Sequence, residues 1–193
     1  GIDLSKVSLT SNNLGNRNRT MLNMFIEQQI KFQNEKIDLT PGIAITYFSD
    51  VSTRLNYQSN FFNNLFFYPG MDLGYRFKKN LKLYSNVGYT YRIPTYTDLF
   101  YSSPTTLGNE NLKLEKALTK EIGLKYLKSN FNLSMSLYQR DASDIIDYVR
   151  NNEAEPWQAN NIREITTNGF ELNMSYKFYL GAFRPQSINI GYS

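Results

Sequence analysis

Apolar and polar residues alternate one by one along most of this sequence. In a β-strand residues i and i+2 share a face, so period-two alternation marks strands with one apolar side. Over 22–32 the apolar positions are even: Leu22, Met24, Ile26, Ile30 and Phe32. Over 37–47 they are odd: Ile37, Leu39, Ile43, Ile45 and Tyr47. The pattern returns in Phe67, Met71, Leu73, Tyr75 and Phe77, then in Leu81, Leu83, Val87, Tyr89 and Tyr91. It continues in Leu118, Ile122, Leu124 and Tyr126, and in Phe131, Leu133, Met135 and Leu137. Phe170, Leu172, Met174, Tyr176 and Phe178 form a seventh run, and Ser187-Ile188-Asn189-Ile190 opens an eighth. The expectation is an all-β fold: an antiparallel up-and-down meander of about eight strands, without a helix.

The connections narrow this further. Short ones fall at 33–36, 78–80, 128–130 and 179–185, and long ones at 49–65, 93–116 and 141–163. They alternate, so all short turns lie at one end of the meander and all long loops at the other. That is the layout of an outer-membrane β-barrel. Several runs also reach the roughly 9–11 residues that a tilted spanning strand needs. Two alternatives share the alternation. One is a complete small eight-stranded outer-membrane barrel, serving as an adhesin or membrane enzyme. The other is a soluble lipocalin-like binding barrel, which has no reason to segregate its loops by length. No run of 18 apolar residues marks a membrane helix.

Composition excludes most chemistry. The 193 residues include no Cys and no His, which removes disulfides, thiolate sites and the usual zinc ligands and general bases. No enzyme activity, catalytic residue, metal or cofactor is expected. The net charge of +4 is mild and spread along the chain, so no nucleic-acid partner is expected. Asp141, Asp144 and Asp147 form the densest acidic cluster and read as a solvated strand end. Asp50, Asp98, Asp141 and Asp144 are expected in loops, but no fixed spacing among them demands Ca²⁺.

The chain is polar on average, with a mean hydropathy of −0.48, yet holds 15 Tyr, 13 Phe and 1 Trp. A wall with lipid on one face and water on the other reconciles the two. Tyr47, Phe67, Tyr89, Tyr91, Tyr126, Tyr176 and Phe178 end the apolar faces, where amphipathic rings suit the membrane interface. The opposite face carries the glycines and the lumen-facing charges Asp72, Arg76, Arg92, Glu121 and Glu171.

Two motifs carry a family resemblance. The first is Tyr89-Thr90-Tyr91-Arg92-Ile93-Pro94-Thr95-Tyr96-Thr97-Asp98-Leu99-Phe100-Tyr101. The second is Gly108-Asn109-Glu110-Asn111-Leu112-Lys113-Leu114-Glu115-Lys116, with Glu110 and Leu114 where prolines are usual. Glu121-Ile122-Gly123 and Gly169-Phe170-Glu171 follow in order. Together these resemble the barrel of TonB-dependent outer-membrane receptors. Ile145-Ile146-Asp147-Tyr148-Val149 with Trp157-Gln158-Ala159-Asn160 looks like the branch that includes vitamin B12 receptors.

The resemblance implies an outer-membrane receptor for a scarce nutrient such as an iron chelate, haem or cobalamin. Its implied partners are outer-membrane lipid, a plug domain of the full-length chain, the TonB system and the transported ligand. Residues 1–193 then read as a partial barrel domain truncated at both ends, without plug or signal peptide. Against a family barrel of about 22 strands, this is roughly a third. Strands near 20–33 and 186–193 are expected as unpaired edges. In isolation the chain is expected to curl with its apolar face inward. Ligand contact is expected from loop aromatics: Tyr57, Phe61, Phe62, Tyr96, Phe100, Tyr101 and Trp157.

Overall fold

The structure is a computed structural model that describes residues 1–12, 14–52, 65–181 and 184–193. Among these residues eleven strands and one short helix follow each other in the order β1 (Ile2–Ser11), β2 (Gly15–Glu27), β3 (Ile30–Phe32), β4 (Ile37–Ser52), β5 (Leu65–Lys78), β6 (Leu81–Arg92), α1 (Tyr96–Phe100), β7 (Thr106–Leu107), β8 (Glu115–Lys128), β9 (Phe131–Val149), β10 (Trp157–Leu180) and β11 (Arg184–Tyr192). They form one sheet with the path β1-β2-β4-β5-β6-β8-β9-β10-β11, every step antiparallel. β3 extends the pairing along β4, and β7 adds a short parallel contact to β10. Among the described residues β1 pairs only with β2 and β11 only with β10, so this sheet is not a closed eight-stranded barrel.

The two faces have inverted polarity. The buried polar residues Asp38, Thr46, Asp50 and Ser136 share one face. Ile122 and Leu137, in register on β8 and β9, stand on the other, 51% and 59% exposed. Polar positions of β2 to β8, including Asn23, Thr46, Gly70, Asn86 and Thr119, line one cavity of about 1160 Å³. The sheet therefore curves around its polar face. This overturns the expected inward turn of the apolar face. Water would drive apolar area inward at roughly 25 cal/mol per Å², whereas the exposed band here suits hydrocarbon.

Several boundaries differ from the expectation. The free edges are β1 and β11, not a strand over 20–33. The alternation hid β1 because its apolar residues change sides: Ile2 and Leu4 pair with Met24 and Leu22, but Val7 and Leu9 pair with Arg19 and Arg17. The loop set at 141–163 shrinks to 150–156, because β9 and β10 remain paired far beyond the other strands. Register shifts between Asn161, Arg163 and Ile165 and a left-handed Asp144 (φ 54°) interrupt this extension. A bulge inserts an extra residue and reverses the parity of the faces, which erases period two without ending the ladder. Tyr91 also leaves the apolar face. Its ring packs edge-on against Tyr68 at 5.0 Å and lies near Phe66.

Candidate functional site: the loop-end segment and the polar face

The segment 93–114 lies at the loop end and folds over the polar face. Pro94 is buried and cannot continue the ladder as a donor. Thr95 is extended and caps α1 reciprocally: Asp98 N–H donates to Thr95 Oγ1 (3.1 Å) and Thr95 N–H donates to Asp98 Oδ2 (2.9 Å). This capping box ends the strand and starts a one-turn helix where no helix was expected.

Arg92, at the end of β6, joins the pieces. Its Nε donates to Glu115 Oε2 at 2.7 Å and its Nη1 to Asp98 Oδ2 at 3.2 Å. Glu115 Oε1 also accepts the Ile146 N–H of β9 at 2.9 Å. One arginine thus ties together the ends of β6 and β8, the helix cap and, through Glu115, β9. The Arg92 guanidinium holds the Glu115 carboxyl below the usual carboxylate range, and Glu115 in turn raises Arg92.

The second motif lands beside α1. Leu99, Leu112 and Ala159 form a fully buried cluster, covered by Phe100, Ile146 and Tyr148. A Cβ on Gly108 would strike the backbone of Leu99 and Phe100 within 2.8 Å, so only glycine fits there. Asn109 donates from Nδ2 to Ala159 O (3.0 Å), and its N–H donates to Asp98 O (2.8 Å). Lys113 N–H donates to Asn161 Oδ1 (2.7 Å), and Asn161 Nδ2 donates to Asp144 O (2.6 Å). The far end of the segment is therefore fastened to β10.

Its near end reaches β2. Arg19 donates from Nε and Nη2 to the two Asp50 oxygens, both at 2.7 Å, and also to Pro94 O at 3.1 and 3.2 Å. The pair is nearly dry, with side-chain exposures of 11% and 5%. The Arg19 guanidinium lies 5.0 Å from the Tyr96 ring, and that of Arg17 lies 3.7 Å from the Phe100 ring. Burial, aided by nearby Asp50, pushes the Tyr96 phenol up to about 12.

The loop aromatics proposed for ligand contact thus have different surroundings. Tyr96 faces Arg19, and Phe100 faces Arg17 and the buried cluster. Tyr101 is half-buried, and Trp157 is exposed beneath the Arg150 guanidinium at 4.6 Å. Tyr57, Phe61 and Phe62 lie outside the described residues. The acidic residues expected in loops lie instead in β4 (Asp50), α1 (Asp98) and the extended β9 (Asp141, Asp144 and Asp147), and cations engage them: Asp50 by Arg19, Asp98 by Arg92, Asp141 by Lys120, Asp144 by Lys116 and Asp147 by Arg163.

Below the segment, Glu121 accepts from Tyr84 (2.8 Å) and Asn86 (3.0 Å). Arg76 donates to Glu35 O (3.0 Å) and stands 3.9 Å from Asp38. Asp72 is exposed in register with Asn86, and Glu171 is exposed in register with Ser136. The sequence reading missed Arg17, Arg19, Asp38 and Asn161. Arg17 and Arg19 do carry a signal, two charges at spacing i, i+2 on one strand face.

Comparison with known proteins agrees with this geometry. Residues 3–193 match the family described as TonB dependent receptor-like, beta-barrel. The vitamin B12 transporter BtuB of Vibrio vulnificus is 26% identical over 93 residues, which cover 48% of this chain and 15% of the relative. BtuB of Photobacterium profundum is 28% identical over 105 residues, covering 53% and 17%. This chain thus spans about a sixth of the curated relatives' length. The siderophore receptor PirA from Pseudomonas aeruginosa superposes with a TM-score of 0.71 at 15% identity, over 99% of this chain and 38% of its own. These relatives are transporters and receptors rather than enzymes. With residues 3–193 matched, the chain belongs to the TonB-dependent receptor β-barrel family, whose place is the bacterial outer membrane.

Proposed function

We propose that this chain is part of the barrel wall of an outer-membrane receptor that imports a scarce, bulky nutrient, with cobalamin as the first candidate. The inverted polarity of the sheet carries the reading: an exposed apolar band suits lipid, while the curved polar face suits a wet lumen. In the full-length protein this face borders a plug domain, and the TonB system supplies the energy. Cobalamin comes first because both curated relatives are named for vitamin B12. An iron chelate and haem are the other arms. Trp157, exposed at the loop end of β10, is the aromatic best placed to touch a ligand, with half-buried Tyr101 beyond α1 as the second candidate.

The test is retention and uptake by cells expressing the full-length receptor in a host without its own cobalamin, haem or siderophore receptors. Cyanocobalamin, haemin and a ferric siderophore are offered in turn. TonB-dependent accumulation of one of them supports the reading, and cyanocobalamin is the expected one. Accumulation of none, in cells shown to carry the assembled receptor, sinks it.

A further inference from the structure

The geometry points to Arg17 and Arg19 as positioning residues that clamp α1 onto β2 and so hold the segment 93–114 as a crossbar over the polar face. α1 follows β6, yet it is seized by β2, three ladders away along the path β2-β4-β5-β6. The spacings match. Residues i and i+4 of a helix are separated by about 6 Å along its axis, and residues i and i+2 of a strand by about 6.7 Å. Tyr96 and Phe100 can therefore each meet one guanidinium, and they do.

The two contacts differ in kind. Arg19 is locked: Asp50 takes one edge of its fork, and Pro94 O takes N–H groups of the same guanidinium. Arg17 has no carboxylate partner among the described residues. Its Nε donates to Leu14 O at 2.9 Å, and its charge sits over Phe100. With Asn109 and Lys113 fastened to β10, the segment spans from β2 to β10. The clamp is thus a fixed anchor at Pro94, with Arg19 also against the Tyr96 ring, and a second, charge-only hold at Phe100. It does not depend on which nutrient the receptor carries.

The test uses the full-length receptor in liposomes, with any cysteine outside residues 1–193 replaced by serine. Spin labels are placed through Thr20→Cys on β2 and Ser102→Cys beyond α1, both at exposed positions. The parent is expected to give one narrow distance distribution. Phe100→Leu with Tyr96→Leu changes no residue of the wall strands, keeps an apolar side chain over the Leu99–Leu112–Ala159 cluster, and is expected to raise the displaced population about tenfold. Arg17→Gln is expected to give a partial version of the same change. Arg19→Lys is expected to resemble the loss, because an ammonium cannot serve Asp50 bidentately and Pro94 together. Heat-modifiable migration of each variant checks that the barrel has formed. Narrow, unshifted distances in the double leucine variant of a formed barrel would overturn the proposal.

Discussion

Lys82 lies across Gly74 to reach Asp38, with Nζ 2.8 Å from Oδ2. The three belong to β6, β5 and β4, so one side chain spans an intervening strand and lies along the wall. Tyr84 lies over Gly123 and Tyr138 over Gly169 in the same way. By contrast, Gly42, Gly70 and Gly88 pair in a row with no atom closer than 3.6 Å to an added Cβ. This separates two groups of glycine on one face. Gly123→Val and Gly169→Val should each destabilise the barrel by about 1–3 kcal/mol through overpacking against tyrosine. Gly70→Ala and Gly88→Ala should be near neutral. Comparing the temperature at which each variant loses compact gel migration decides the matter, and equal losses in both groups would refute the distinction.

The apolar face should respond to charge by depth. Ile122→Lys and Leu137→Lys place an ammonium in the exposed band and should cost about 2–4 kcal/mol near the bilayer midplane. Glu171→Gln on the polar face should cost little. Urea unfolding in liposomes measures both, and equal effects would mean that the assigned lipid face is wrong.

The cap of α1 is a single-residue device. Thr95→Ala removes the side-chain acceptor for Asp98 N–H and should weaken the helix by about 1 kcal/mol. Thr95→Ser keeps the oxygen and should retain the helix. Faster amide exchange over 96–101 in the alanine variant alone is the expected signature.

The Arg92–Glu115 linkage sets an acid limit. Glu115 is held below its ordinary value of 4.5, chiefly by its hydrogen bond to Arg92. Such a group lends stability that is complete above its unfolded value and is lost as pH falls through its folded value. Amide protection of Ile146, whose N–H is bonded to Glu115, should hold at pH 6 and decline below about 4.5. Glu115→Gln should flatten that dependence.

The sheet was legible because lipid and water impose opposite choices on alternate residues, so β4, β5, β6 and β8 show period two plainly. It failed where a strand serves something besides the two solvents. Val7 and Leu9 face arginines, and Asp144 sits in a bulge that reverses parity. Arg92, Asp98 and Glu115 stood out through their motif, but their mutual contact needs two strand ends brought side by side. Arg19 and Asp50 are 31 residues apart, and Arg19 and Pro94 are 75 apart. No local pattern announces a guanidinium shared between such distant partners.

The laid-down side chains bear on the bore of the complete barrel. Where Lys82, Tyr84 and Tyr138 lie flat over glycines, the clearance follows the backbone rather than the length of the side chains. A long residue there narrows the passage by its thickness rather than its length, provided its neighbour stays bare. Widening or narrowing this passage by substitution would therefore act most strongly through the glycines, which carry no side chain of their own.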